Sequence, residues 1–181
     1  VIKKSALDNY RTNECKLHGH PIRSLDEKVF YTSGSLGQGL SLGIGVSLGS
    51  PKSRVHVLLS DGELNEGQIW EALMFISSNK INNIKIAIDL NGVQLDGFTS
   101  DILNIGSIKN KLIAFGFQVI ECNGNSFKSI NKAYQKLSKT PKPSVLILNT
   151  KIAYGIEGLE GLPKAHGCKI TDELMSSNSL N

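Results

Sequence analysis

The sequence predicts an α/β domain: a parallel β-sheet sandwiched by helices. Three observations carry that expectation. Short apolar runs rich in Val, Ile and Leu recur at 55–59, 84–88, 119–122 and 145–148. Segments of helical periodicity lie between them. The runs are near-continuous in apolar residues rather than alternating, as expected of strands covered on both faces. Sheets of this kind bind ligands at the carboxyl ends of their strands. The residues just after Leu59, Ile88 and Leu148 are therefore where chemistry is expected.

Taken in order, residues 1–33 are polar and irregular, with a short helix expected at the start. The stretch 35–48 mixes Leu, Ile and Val with Gly37, Gly39, Gly43 and Gly45, and Gly49 follows. Glycine is a poor helix former, yet a helix pressed against a sheet or a cofactor can need it. The strand at 55–59 is followed by Ile69, Ala72, Leu73 and Ile76, spaced i, i+3, i+4, i+7 as one face of an amphipathic helix. After the strand at 84–88, Ser107 can cap a short helix carrying Ile108, Leu112 and Phe115. After the strand at 119–122, Ser126 can cap a helix with Phe127, Ile130, Tyr134 and Leu137 on one face. The strand at 145–148 is the fourth, and a last helix is expected over 171–175.

A chain of 181 residues suits one domain. Its net charge of +4 is carried by scattered Lys and Arg, with no basic stripe of the kind that binds nucleic acid. No apolar run is long enough to span a membrane. The start, Val1-Ile2-Lys3-Lys4, runs into polar residues rather than a signal-peptide core, so a cytoplasmic setting is expected. Cys15, Cys122 and Cys168 are odd in number and far apart, which fits reduced thiols better than a disulfide framework or a zinc site.

Two strand ends stand out. Ser60-Asp61-Gly62-Glu63-Leu64-Asn65-Glu66-Gly67 follows the first strand, and Asp89-Leu90-Asn91-Gly92-Val93 follows the second. Singly, Asp-Gly and Asn-Gly read as turns. Paired after successive parallel strands, Asp61 and Asn91 can meet. A carboxylate, an amide oxygen and a backbone carbonyl form the sparse shell of hard donors that Mg²⁺ takes alongside phosphate and water. The helix after Gly67 can point free N–H groups at a diphosphate, and Gly62 allows close backbone approach.

These residues resemble a known family. The segments from Ser60-Asp61-Gly62 to Asn91 are similar to the thiamine-diphosphate signature. The string Gly34-Ser35-Leu36-Gly37-Gln38-Gly39-Leu40 resembles the cofactor-contacting loop of transketolases, and the twelve residues 61–72 resemble their diphosphate-site stretch. His20-Pro21 and Ala165-His166-Gly167 occupy the places of two family histidines. The resemblance runs over about 17–174 and implies a single diphosphate-binding module spanning 1–181.

The resemblance implies thiamine diphosphate as cofactor, with Mg²⁺ held by Asp61, Asn91 and the carbonyl of Val93. It implies that Gly62 and Glu63 meet the diphosphate through backbone N–H groups. Gly34, Ser35 and Leu36 would lie against the cofactor's rings. His166 would stand near diphosphate and substrate, and His20 would contact the sugar. Glu66 would orient a catalytic glutamate from a partner. Each has a plainer reading: Glu66 suits a helix start, His166 beside Gly167 suits a loop, and His18 and His20 suit solvated loop positions rather than a metal pair.

The implied activity is transfer of a two-carbon ketol unit between sugar phosphates. The implied partner is a pyrimidine-binding module or subunit, in a dimer or heterotetramer. Ser60 departs from the family's glycine, and Leu90 from its usual polar residue. The family's leading segment, with another phosphate-contacting histidine, and its pyrimidine-binding domain are not in these 181 residues. The alternatives are a dehydrogenase E1 subunit, a deoxyxylulose-phosphate synthase and a non-catalytic remnant. The Gly34–Leu40 loop with His20 favours a transketolase. A plain nucleotide-binding domain predicts a G-x-G-x-x-G or P-loop lysine, which the sequence lacks.

Overall fold

The computed structural model describes residues 10, 12, 15, 17–26, 28–169 and 171–177. The short helix expected at the start falls largely outside them. Strand β1 (Val55–Ser60), β2 (Ile84–Leu90), β5 (Gln118–Asn123) and β6 (Ser144–Asn149) form one parallel sheet in the order β1-β2-β6-β5. Val55 pairs with Ile84, Lys85 with Ser144, and Gln118 with Ser144. This register aligns the carboxyl ends, with Ser60 opposite Asp89 and Leu90 opposite Asn149. A small antiparallel hairpin, β3 (Val93–Gln94) and β4 (Gly97–Phe98), follows β2.

Alternation along the strands divides the core. Leu59, Ile84, Ile86, Ile88, Val145 and Ile147 face one way, towards helices α1 (Gln38–Gly49), α2 (Gly67–Ser78) and α4 (Ile108–Ala114). Helix α2 buries Ile69, Ala72, Leu73 and Ile76, the stripe its spacing predicts. Full burial of such a side chain contributes about 1.5–3 kcal/mol, and truncating Leu73 to Ala would cost about 2–5 kcal/mol. The glycines of α1 do not act alike. A Cβ on Gly43 would stand 2.6 Å from Val57 Cγ2, so that glycine lets helix and sheet touch, whereas Gly45 has open space. The helix starts at Gln38 rather than at 35, because Gly37 is left-handed (φ 82°).

The other face is covered differently. Among the described residues, helix α5 (Phe127–Ser138) sets Ala133 and Leu137 on Leu146, with Ala87, Ile120 and Leu148 beside them. His56 and Leu58 of the edge strand β1 stay exposed on that side, where no helix among the described residues covers them. The expected caps form: Ser107 accepts from Asn110 N–H and Ser126 from Ser129 N–H. Phe127 departs from expectation. It leads the α5 stripe in sequence, yet it is 85% exposed. A short helix α3 (Thr99–Ile102) follows the hairpin, and α6 (Asp172–Ser177) lies where the last helix is expected.

Candidate functional site

Asp61 leaves the end of β1 and is 2% exposed. Its Oδ1 accepts from Gly62 N–H at 2.9 Å, which caps a 3-10 turn over Gly62–Asn65. Its Oδ2 accepts from Gly92 N–H at 2.6 Å, across from the turn after β2. One carboxylate thus ties the two strand ends together. Burial pushes its pKa up, the two backbone N–H groups oppose that, and the neighbouring Asp89 carboxylate adds to the rise. Asn91 is held within its own turn: its Oδ1 accepts from Val93 N–H at 2.8 Å and its Nδ2 donates to Asp89 Oδ2 at 3.1 Å. The structure therefore brings Asp61, Asn91 and Val93 to one place. The Asp61 and Asn91 oxygens retain accepting capacity, and hard oxygens of this kind could contribute to a cation site. A cleft of about 200 Å³ opens beside Asp61, lined in part by Asn65, Thr99, Ser100 and Asn104.

Three groups in this region escape a sequence reading. Asp89 accepts from Asn91 and also from Thr150 Oγ1, which enters from the end of β6. Gln94 of the hairpin accepts from Asn65 Nδ2 at 3.0 Å, and its Cβ would stand 2.9 Å from a Cβ on Gly62. The close approach that demands glycine at position 62 is thus to Gln94. Thr150 sits just beyond Leu148, where strand-end chemistry is expected, but nothing in the sequence pairs it with Asp89.

Helix α2 begins at Gly67, where the sequence places it, and a 3-10 turn over Gly62–Asn65 fills the segment between it and the end of β1. The N–H groups of Gly62 and Glu63 are engaged locally, with Asp61 Oδ1 and with Ser60 Oγ at 3.2 Å. Ser60 thereby closes the turn it belongs to. The Glu63 side chain reaches the 34–37 loop, where its Oε1 accepts from Gly37 N–H at 2.7 Å. Gln68 Nε2 donates to Leu36 O at 2.9 Å. The loop carrying Gly34, Ser35 and Leu36 is therefore fastened to the turn carrying Asp61.

The histidines are held more lightly. His20 lies against Gly34 (φ 137°), where an added Cβ would come 3.0 Å from its Cγ, so His20 and the loop are adjacent. His166 is exposed on a 3-10 turn (Pro163–Gly167) that packs on the β3–β4 hairpin, next to the Asn91 turn in the chain. Glu66 is exposed at the N-cap of α2; its side chain makes no capping bond, and its charge suits that helix N-terminus, as its plainer reading has it.

Comparison with known proteins identifies the family. Residues 2–178 match the family model described as transketolase, thiamine diphosphate binding domain. Over 91% of its length the chain is 37% identical to an apulose-4-phosphate transketolase subunit of Actinobacillus succinogenes, of which it spans 61%. It is 34% identical over 79% of its length to a 6-deoxy-6-sulfo-D-fructose transketolase subunit of a Clostridium species, of which it spans 54%. In three dimensions 97% of the chain superposes on 29% of the transketolase of Campylobacter jejuni, with a TM-score of 0.88 at 28% identity. The chain thus spans about three fifths or less of these relatives. It belongs to the transketolase family, as that family's thiamine-diphosphate-binding domain.

Proposed function

We propose that this chain supplies the diphosphate-binding wall of an enzyme that moves a two-carbon ketol unit between sugar phosphates, in a cytoplasmic setting. The observation that carries the reading is the single carboxylate of Asp61 bridging the ends of β1 and β2 through Gly62 and Gly92. Asp61, the Asn91 amide oxygen and the Val93 carbonyl would hold a Mg²⁺ ion, and the ion would lie against the cofactor's diphosphate. Thiamine diphosphate, when bound, supplies the carbanion chemistry.

The chain's own residues bind and orient. Gly62 N–H and Glu63 N–H face the same strand end. Delivery of the Glu63 N–H to a diphosphate requires Ser60 Oγ to release it. The Gly34-Ser35-Leu36 loop, fixed by Glu63 and Gln68, would form the floor for the cofactor's rings. His20, resting on that loop, would contact substrate hydroxyls. His166 would exchange protons near the diphosphate, a role suited to imidazole near neutral pH.

The other wall would come from a pyrimidine-binding module or subunit, giving a dimer or heterotetramer. Two features support a partner. Two of the relatives above are named as subunits. An apolar patch also runs from Leu36 along α1 through Leu42 and Val46, each 41–58% exposed, around an open groove. Glu66, exposed beside that surface, would meet the partner's catalytic glutamate.

Calorimetric titration of thiamine diphosphate with Mg²⁺ tests the site, with the chain in complex with a pyrimidine-binding subunit. Asp61→Ala and Asn91→Ala should each weaken Mg²⁺-dependent binding at least about 100-fold, the upper end of what loss of a merely supporting group costs. Circular dichroism should stay native. Unchanged affinity in both variants would remove the assignment.

A further inference from the structure

The amino ends of the strands carry a second polar site, at the opposite end of the sheet from Asp61. There a cavity of about 390 Å³ is lined by Lys52, Arg54, Asn83, Lys85, Ser138 and Thr140, among others, and among the described residues no carboxylate lines it. Lys85 is only 5% exposed. Its Nζ reaches two neutral oxygens at long range, Thr140 O at 3.3 Å and Ser144 Oγ at 3.4 Å. Among the described residues no carboxylate forms an ion pair with it. Among the described residues, Ser138 Oγ is buried in the same region without a hydrogen-bond partner.

Both features are costly as they stand. A buried ammonium normally needs an anion, and a buried hydroxyl needs a partner. The surrounding charge increases the cost. Burial lowers the Lys85 pKa, and repulsion from Arg54 lowers it further. Both cations, after burial, also lower that of His56.

The site is also built rather than incidental. Asn83 Nδ2 donates to Ser47 O at 3.0 Å and Ser53 O at 3.1 Å, and its backbone carbonyl accepts from Val55 N–H. That clamp fixes the loop bearing Lys52 and Arg54 over Lys85. Ser47 Oγ, itself buried, completes the clamp by donating to Asn83 Oδ1 at 2.6 Å.

We infer that this cavity binds the phosphate group of a small phosphorylated metabolite, with Lys85 and Arg54 as its charge partners. Its volume lies in the range of small-ligand pockets and exceeds what a bare phosphate needs. The concave polar wall suits a compact monoester better than an extended acidic peptide.

Amide NMR titration of the whole chain tests this, with glycerol 3-phosphate in one arm and inorganic phosphate in the other. Asp61→Asn is included as the background that disables the opposite strand end. The expected result is saturable shifts at residues 52–54 and 138–140, retained in Asp61→Asn. They should be weakened at least about tenfold in Arg54→Gln, an exposed change that leaves the core intact. Lys85→Met should remove them. The monoester should bind more tightly than inorganic phosphate, and equal affinity would overturn the metabolite and leave an oxyanion site. Shifts confined to Gly62 and Glu63, or shifts at 52–54 that Arg54→Gln leaves untouched, would overturn the site itself. Because it sits at the other end of the sheet, its failure would not touch the cofactor assignment.

Discussion

The acid-and-amide residues and the histidines of the candidate site are held in contrasting ways. Asp61, Asn91 and Asp89 are interlocked with backbone N–H groups and with Thr150, at the ends of three parallel strands. His20 and His166 are exposed on irregular segments, touching the site through Gly34 and the β3–β4 hairpin. The first set is preorganised by the sheet itself. The second depends on loops, whose positions a bound ligand or a second protein surface can still set. On the proposed function, the chain's own work would be to grip the diphosphate end, and work on the sugar would require completion by the partner.

The strongest way to break that contrast is to ask the chain to work unaided. Prepared as these 181 residues, with thiamine diphosphate, Mg²⁺, xylulose 5-phosphate and ribose 5-phosphate, it should form no sedoheptulose 7-phosphate. A cofactor held by one wall is neither oriented nor shielded for reaction. Its aminopyrimidine also needs a carboxylic acid, which the resemblance assigns to the partner. Turnover by a demonstrably pure chain would overthrow the two-wall reading. Once a pyrimidine-binding subunit is supplied, activity should appear, and Glu66→Ala should abolish or sharply reduce it while the chain's fold is unchanged.

The histidines should show the next largest effects. In the reconstituted enzyme, His20→Ala should lower turnover about 100-fold, the scale of a lost proton-transfer or orienting group. Its cofactor affinity should stay within about threefold, because among the described residues no bond in the Asp61–Asn91 cluster passes through it. His166→Ala should weaken both, since its turn packs on the hairpin that follows Asn91. Wild-type turnover by His20→Ala would detach that residue from the sugar.

Much of this was legible in the sequence because parallel strands are stabilised by burial, and burial leaves a pattern. The runs at 55–59, 84–88, 119–122 and 145–148 lie within β1, β2, β5 and β6, and the pairing of Asp61 with Asn91 follows from β1 and β2 being neighbours. Other features left no such trace. Periodicity places Phe127 on the α5 stripe but cannot say whether anything lies above it. The insertion of β6 between β2 and β5 brings Thr150 to Asp89 over a separation no local pattern spans. The β3–β4 hairpin is too short to show an alternation, so nothing local marks Gln94 as the neighbour of Gly62. Local patterns report which face a residue occupies. They do not report which distant group meets it.

That contact gives a smaller, structural test of how tightly the acid-and-amide region is built. Gly62→Ala would set its Cβ 2.9 Å from Gln94 Cβ, and the hairpin must then shift. Overpacking of this kind costs about 1–3 kcal/mol. Chemical denaturation should show the loss, and Gln94→Gly in the same chain should recover much of it. If the double variant is no more stable than Gly62→Ala, the hairpin does not constrain the turn. Gly45→Ala, in open space, serves as the comparison and should change stability little or raise it.

The finest distinction is a pH dependence carried by Asp61. In the fold without ligands its pKa is raised, chiefly by burial, so between its ordinary value and the raised one the folded chain binds more protons than the unfolded chain. Its contribution to stability is therefore fully present below the ordinary carboxylate value and is lost as pH climbs through the raised value. A bound Mg²⁺ would favour the carboxylate and reverse the sign. Thermal melts of wild type and Asp61→Asn from about pH 3.5 to 7 isolate the effect, because the amide variant does not titrate and any packing offset it brings is constant with pH. Without ligand, the wild-type advantage over the variant should shrink as pH rises. With Mg²⁺, thiamine diphosphate and the partner subunit, it should grow instead. A difference that stays flat in both series would mean that Asp61 keeps an ordinary titration in the fold and gains nothing from a cation. The interlocked half of the site would then be a structural knot rather than a metal grip.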